Sequence, residues 1–178
     1  MSDPKTIKKA FERNRKALKK RPSIGQSTAT TKIRVHDGTT CEITASGKKL
    51  ICDVGTEQGG NDAGPGPGIL ERGALGSCLA MGYSLWAAHL EIPVDEIEVE
   101  VESDFDARGQ FGITDDPPGF KELRYIVTIE SPASEDKIRE LIAKADSHSP
   151  VLDDFKRPIP VKRELKIKST EPQNHESQ

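Results

Sequence analysis

The sequence predicts an α+β fold with mostly antiparallel sheets and one long, buried central helix. Two groups of segments alternate between apolar and polar residues, as half-buried strands do. They flank a long segment that contains no charged residue, and an amphipathic segment follows the second group. Neighbouring strands joined by short turns pair in antiparallel fashion, so this order favours hairpins over a parallel sheet.

The composition is that of a soluble globular protein of one domain or two small ones. The chain has 178 residues, of which 34% are hydrophobic, 31% charged and only 4% aromatic. No apolar run approaches the roughly 18 residues of a membrane span, and no apolar leader segment opens the chain. Three cysteines are too few for a disulfide framework. We therefore expect a cytoplasmic protein.

The first residues form a basic arm, predicted over residues 1–24. Residues 1–21 hold nine basic and two acidic side chains, a net charge of +7, while the whole chain carries −3 and the remainder therefore −10. Ile7, Phe11 and Leu18 recur at helical spacing, which predicts an amphipathic helix. Such an arm either docks on the acidic body of a subunit or contacts nucleic acid or an anionic membrane. Only three apolar residues anchor this helix and no aromatic interleaving suggests base stacking, so we favour docking and do not expect a nucleic acid partner.

Three short strands are expected next, over residues 28–34, 39–45 and 48–54, with small turns between them. Cys41 and Cys52 alternate with polar residues on the second and third strand. Each lies in a row of apolar side chains, so both are predicted to be core residues.

A glycine- and proline-rich loop over residues 55–68 leads into a helix predicted over 69–90. Residues 73–88 of that helix carry no charge, which predicts burial on every side. Three of its residues lower helix stability and thereby indicate close approach by other backbone: Gly73, Gly76 and Gly82.

The remaining elements are a strand over residues 94–105, a loop over 106–119, a strand over 121–130, a helix over 134–147 and a strand over 159–168. The first of these strands is expected to turn four residues inward: Ile97, Val99, Val101 and Phe105. Its acidic residues then form a solvated face.

The chain thus divides into the arm, a domain over residues 25–168 and a polar tail over 169–178 that is predicted to be disordered. A helix that is apolar on all sides needs more cover than one small sheet and one amphipathic helix provide. Two copies that pair these helices would supply it, so we expect an obligate homodimer.

Several kinds of site are disfavoured. The loop lacks the backbone donors and the Lys-Ser/Thr of a phosphate cradle, because Pro65 and Pro67 have no N–H group. The four histidines are scattered and no Cys-x-x-Cys occurs, so we expect neither a metal nor a cofactor. No G-x-S-x-G elbow indicates a serine hydrolase. Cys78 lies within the charge-free helix, where a buried, inert thiol is the simpler interpretation.

The stretch GPGPGILERGALGSCLAM, residues 64–81, resembles the OsmC/Ohr family of osmotically inducible and organic hydroperoxide resistance proteins. The likeness extends over residues 25–168 and includes ADSHSPVLDDF at 145–155. It implies an α+β fold of intertwined homodimers with active sites at the subunit interface. It also implies reduction of organic hydroperoxides and hydrogen peroxide by a cysteine pair.

By this resemblance Cys78 is the peroxidatic nucleophile. The family's second cysteine precedes a proline, and here Ser149 occupies that position. The family activates its thiolate with an Arg–Glu pair whose glutamate follows the proline at the helix start, where this chain has Gly68. Glu71 is the candidate substitute, although an acid favoured by the helix dipole is the simpler interpretation. Arg34 is the candidate arginine.

The predicted substrate pocket contains Ser149, His148 and Met81, with a helix-end role for His148 as the alternative. Three hypotheses follow. The chain is a thiol peroxidase that uses an external thiol, a non-catalytic dimer that binds a small apolar ligand at its interface, or an interaction protein that works through its basic arm.

Overall fold

The computed structural model describes residues 3–168, so the predicted disorder of residues 169–178 concerns a segment outside the described residues. The helices are α1 (Pro4–Lys20), α2 (Pro67–Leu90), α3 (Ala107–Gln110), α4 (Glu135–Asp146) and α5 (Pro150–Lys156). The strands are β1 (Lys32–Asp37), β2 (Thr40–Ala45), β3 (Lys48–Cys52), β4 (Glu96–Phe105) and β5 (Phe120–Glu130). The predicted α+β class with antiparallel sheets is confirmed.

The first three strands form an antiparallel sheet in the order β1-β2-β3. A two-residue turn at Ser46 and Gly47, both with positive φ, sets the β2–β3 register and places Cys41 opposite Cys52. β1 runs later in the chain than predicted, because its pairing with β2 through the turn at Gly38 extends it to Asp37. Cys52 is buried as expected, whereas Cys41 is only half-buried.

The core lies where α2 packs on β4, α4 and α5. Its fully buried side chains come from α2 and α4: Leu75, Leu79, Tyr83 and Leu141. The charge-free helix is therefore central, as predicted. It is not covered on every side within one subunit, because Ile69 and Met81 are 56% and 60% exposed.

β4 and β5 form a separate antiparallel hairpin with the predicted alternation along most of its length. Phe105 is an exception to the prediction, since it is 62% exposed. A register shift between Asp104 and Phe105 turns the end of the strand away from the core. On the solvent face Arg124 forms ion pairs with three carboxylates: Glu102, Asp104 and Glu122.

The basic helix α1 docks on the body of the same chain. The Phe11 ring lies 5.2 Å from Trp86 and 4.9 Å from His89, measured between centroids. Lys8 Nζ pairs with Glu91 at 2.8 Å, at the end of α2. Of the two interpretations of this segment, docking and contact with nucleic acid or a membrane, docking is the one that we favoured from the sequence.

Three other sequence predictions are corrected. Residues 159–168 form no strand, and Val161 and Leu165 are 90% and 74% exposed. A strand needs a neighbouring edge, and within residues 3–168 this segment pairs with none of the strands. The loop over 106–119 contains α3, and α5 follows Ser149; both helices are too short to show a hydrophobic period.

Candidate functional site

The loop before α2 is held by a buried carboxylate. Asp53 accepts hydrogen bonds from Thr39 Oγ1 at 2.7 Å and Thr40 Oγ1 at 2.8 Å. It also accepts from three backbone N–H groups, those of Val54, Asn61 and Ala63. The Thr39 hydroxyl first, and then these other donors, hold the pKa of Asp53 well below its usual range despite burial. The loop therefore reaches α2 from a fixed point on the sheet.

Within α2, Gly76 sets the distance to β4. A Cβ at this position would lie 3.2 Å from Val101 Cγ2, which is tighter than ordinary contact. A Cβ at Gly73 or at Gly82 would have no atom within 4 Å outside its own helix turn. The predicted close approach is therefore confirmed at Gly76 alone, where it seats the middle of α2 on the hairpin.

Cys78 and Ser149 come together although 71 residues separate them. Cys78 Sγ lies 3.5 Å from Ser149 Oγ, the only side chain within hydrogen-bonding distance of this thiol among residues 3–168. Cys78 is half-buried and Ser149 buried. Ser149 Oγ accepts from the backbone N–H of Leu152 at 3.4 Å and so caps α5. The serine's position is thus set by the helix that it starts.

A cleft of about 490 Å³ opens beside this pair. Its lining comes from the end of α4 and from α5: Asp146, Ser147, His148, Ser149, Pro150, Leu152, Asp153 and Lys156. Ser149 belongs to this wall, and Cys78, which is not among the lining residues, contacts the wall at the Ser149 hydroxyl.

His148 has the helix-end role that the sequence left open. Its Nδ1 lies 2.8 Å from Ser147 Oγ and 2.8 Å from the Lys144 carbonyl oxygen. Its ring packs against Trp86 with centroids 4.8 Å apart. The ring therefore belongs to the wall of the cleft and makes no contact with Cys78.

A cluster of two tyrosines and an aspartate, which was not predicted from the sequence, lies at the wall of the same cleft. Tyr83 and Tyr125 donate to the carboxylate of Asp146 at 2.7 and 3.1 Å. Burial first, and then the bond to Asp146, raise the pKa of Tyr83 far above its ordinary value. The O–H group of a tyrosine inside an apolar helix needs a hydrogen-bond partner, and this need is the one sign of the cluster in the sequence. The partner's identity depends on contacts between distant segments.

The other predicted site residues lie elsewhere. Arg34 is exposed on β1 opposite Glu42, and Glu71 is exposed near the start of α2. Arg72 donates to Ser103 Oγ at 3.1 Å, away from the thiol. Met81 lines a different cavity, of about 880 Å³, between α1, α2 and residues 92–97. Within one subunit the structure therefore joins Cys78 to Ser149 and not to these residues.

Among residues 3–168 no group of three or more metal-binding side chains is present. In the same part of the chain no helix is long and apolar enough to cross a membrane.

Comparison with known proteins concerns the family and the fold of the chain. The OsmC-like protein family matches residues 59–164. An OsmC-like protein from Mycoplasma pneumoniae superimposes with a TM-score of 0.65 at 18% identity, over 74% of this chain and 89% of that one. An organic hydroperoxide resistance protein from Legionella pneumophila gives 0.53 at 18% identity, over 74% and 92%.

An OsmC-like protein of unknown function from Vibrio cholerae gives a TM-score of 0.56 at 11% identity, over 72% of this chain and 94% of that one. At such identities the three structures show a shared fold. The comparison with curated proteins found no match. The family match covers more than half of the sequence, including the Cys78 helix and Ser149, and the chain therefore belongs to the OsmC-like protein family.

Proposed function

We propose that this protein reduces organic hydroperoxides or hydrogen peroxide through Cys78, with an external thiol as the reductant. The observation that carries the proposal is the contact of 3.5 Å between Cys78 Sγ and Ser149 Oγ beside the cleft. Ser149 lines the cleft and its hydroxyl contacts the half-buried Cys78 thiol, so a small substrate in the cleft would lie one side chain away from the sulfur. The Legionella pneumophila relative is named for resistance to organic hydroperoxides, which supports this choice of substrate.

The first step is a nucleophilic substitution at oxygen. The Cys78 thiolate attacks the terminal oxygen of R–O–O–H, forms an S–O bond and breaks the O–O bond. After proton transfer the products are the sulfenic acid of Cys78 and the alcohol R–OH, or water from hydrogen peroxide. Sulfur is oxidised by two electrons and the peroxide is reduced by two.

The cycle then needs a second thiol. Ser149 has no sulfur, so it forms no disulfide with Cys78. An external thiol condenses with the sulfenic acid and releases water, and a second thiol displaces Cys78 from the mixed disulfide. Cys41 and Cys52 face each other across β2 and β3, and within residues 3–168 neither lies within hydrogen-bonding distance of Cys78.

Ser149 supplies a donor to the thiolate in this proposal. Its oxygen already accepts from the N–H of Leu152, so its O–H remains to donate toward the Cys78 sulfur. A hydrogen bond to the charged form of a thiol stabilises that form. The hydroxyl thus performs part of the activation that the resemblance assigns to a charged pair.

Arg34 and Glu71 remain the proposed charged pair. Neither contacts Cys78 within the described subunit, so any role in the reaction requires the partner subunit. Replacing each with glutamine and following peroxide consumption tests them: an unchanged rate in both variants removes them from the proposal.

We further propose the homodimer. On the apolar face of the three-stranded sheet, Ile33, Val35 and Leu50 are each more than half exposed. The open side of α2 and the extended segment over residues 159–168 add further exposed apolar groups. A subunit with several uncovered apolar surfaces of this kind is typical of an obligate oligomer. The proposed location is the cytoplasm, where external thiols are abundant.

Peroxide consumption tests the proposed function. Wild type, Cys78→Ala and the double variant Cys41→Ala/Cys52→Ala are mixed with cumene hydroperoxide and dithiothreitol. We expect turnover in wild type and in the double variant, and none above background in Cys78→Ala. Equal rates in wild type and Cys78→Ala overturn the proposal and leave a non-catalytic ligand-binding dimer.

A further inference from the structure

The two sides of α1 differ in chemistry and in what they contact. Its apolar side carries Ile7 and Phe11, and Phe11 packs on Trp86 and His89 of α2. Lys8 pairs with Glu91 at the edge of this contact. The helix is therefore held to the body along one side, and the orientation of its other side is fixed.

The opposite side of α1 is a stripe of cations, here called the basic face. At 3.6 residues per turn its members fall within an arc of about 120° and span about 22 Å along the axis. The basic face has six exposed cations: Lys5, Lys9, Arg13, Lys16, Lys19 and Lys20. Glu12 lies within the same arc and pairs with Lys8 at 3.9 Å, so the face keeps a large positive excess. Within residues 3–168 none of the six cations forms an ion pair.

This arrangement is unfavourable for the isolated subunit. Like charges four residues apart destabilise a helix, and Lys5–Lys9, Lys9–Arg13 and Lys16–Lys20 are three such pairs. The rest of the chain carries −10, so the positive charge is concentrated on this one helix. An anionic surface against the basic face would remove the repulsion and leave the acidic body on the far side of α1.

We propose that the basic face binds the phosphate headgroups of an anionic membrane surface while α1 stays docked on α2. The apolar side of α1 is occupied by Trp86 and His89, so the contact is electrostatic and the helix does not insert. A helix that lies against its own body presents a ridge to a flat surface. It does not protrude to enter a nucleic acid groove, and the basic face has no aromatic residue on which a base could stack.

Vesicle co-sedimentation of the full chain tests the proposal. Vesicles of phosphatidylcholine with about 30% phosphatidylglycerol are compared with pure phosphatidylcholine at about 0.05 M and about 0.5 M salt. The test variant is Lys9→Gln/Arg13→Gln/Lys16→Gln. The matched control is Lys48→Gln/Lys137→Gln/Arg139→Gln, which removes the same charge elsewhere.

We expect wild type and control to bind the anionic vesicles at low salt, with about tenfold or greater loss of affinity in the test variant and at high salt. Equal binding by the test variant and the control overturns the proposal. So does binding to duplex DNA under the same conditions without binding to vesicles, which would make nucleic acid the partner. Absence of binding to either also overturns it.

Trp86, the one tryptophan of the chain, reports whether α1 stays docked. Its ring lies beneath Phe11, so its fluorescence depends on that contact. We expect an unchanged emission maximum in the vesicle-bound protein. A shift of the maximum on binding would show that α1 leaves α2 and inserts its apolar side, which contradicts a docked helix.

Discussion

Ser149 has two tasks at the scale of single residues. Its hydroxyl oxygen starts α5 by accepting from Leu152 N–H, and its hydroxyl lies 3.5 Å from Cys78 Sγ. The side chain that fixes a helix terminus therefore also fixes the polar partner of the candidate nucleophile. Changes at this position separate the two tasks.

Ser149→Ala should lose the cap and destabilise the fold by about 1 kcal/mol, the usual cost of removing an N-cap oxygen. It should also slow the reaction of Cys78 with hydroperoxide, because the donor to the thiolate is gone. Ser149→Thr, which keeps a hydroxyl, is the control. Urea unfolding and the rate of peroxide consumption measure the two effects; equal rates in Ser149→Ala and wild type would contradict the role given to the hydroxyl.

Ser149→Cys should restore a cysteine pair. A sulfur at this position would lie beside Cys78 Sγ, close enough to condense with its sulfenic acid and release water. After one equivalent of hydroperoxide we expect two free thiols fewer per chain than before, measured under denaturing conditions. If the thiol at position 149 is not lost, the two side chains lie too far apart to react, which contradicts the described contact.

We expect acid to destabilise the loop that Asp53 holds to the sheet. Its pKa lies below the ordinary aspartate value in the folded protein, so the carboxylate stabilises the fold above about pH 4 and that contribution is lost as the pH falls further. Asp53→Asn should therefore have a lower melting temperature than wild type at pH 7, with the difference shrinking toward pH 3. A difference that is constant over this range would contradict a native carboxylate.

At the scale of elements, α2 connects the sheet, the hairpin and the site. Gly76 allows its approach to Val101, so Gly76→Ala should destabilise the fold by about 1–3 kcal/mol despite the better helix propensity of alanine. Gly73→Ala, which meets nothing within 4 Å, controls for propensity. Chemical denaturation measures both; a Gly76→Ala variant as stable as wild type would contradict close packing here.

The long elements could be predicted from the sequence because their patterns are local. The lack of charge over residues 73–88 marks α2, and the alternation after residue 95 marks β4. The segment over 159–168 has a strand-like pattern as well, but pairing requires an edge that the pattern does not supply. The short helix α5 depends on its cap at Ser149 and leaves no periodic signal.

The site was predictable only in part, for the same physical reason. The resemblance marks Cys78 and the position of Ser149, and the structure brings the two side chains together. The bonds from Tyr83 and Tyr125 to Asp146 join three separate elements, which no local pattern specifies. Met81 was predicted in the same pocket as Ser149 and His148, yet it lines the cavity beside α1.

For the whole molecule, the uncovered apolar surfaces predict a dimer at micromolar concentration. Val35→Asp places a charge on the open sheet face and should shift the protein toward monomer or prevent folding. Lys32→Asp, on the opposite face of β1, is the control. Sedimentation velocity measures mass and circular dichroism measures folding; a monomeric wild type, or a dimer unaffected by Val35→Asp, would contradict this interface.

Trapping of the oxidised sulfur tests the central claim most directly. The reduced protein is given one equivalent of cumene hydroperoxide in the presence of dimedone, which labels sulfenic acids, and the peptides are analysed by mass. We predict rapid labelling of Cys78 with little at Cys52, whose thiol pKa is raised by burial. Absence of label at Cys78, or label at Cys41 formed at the same rate, would contradict the account.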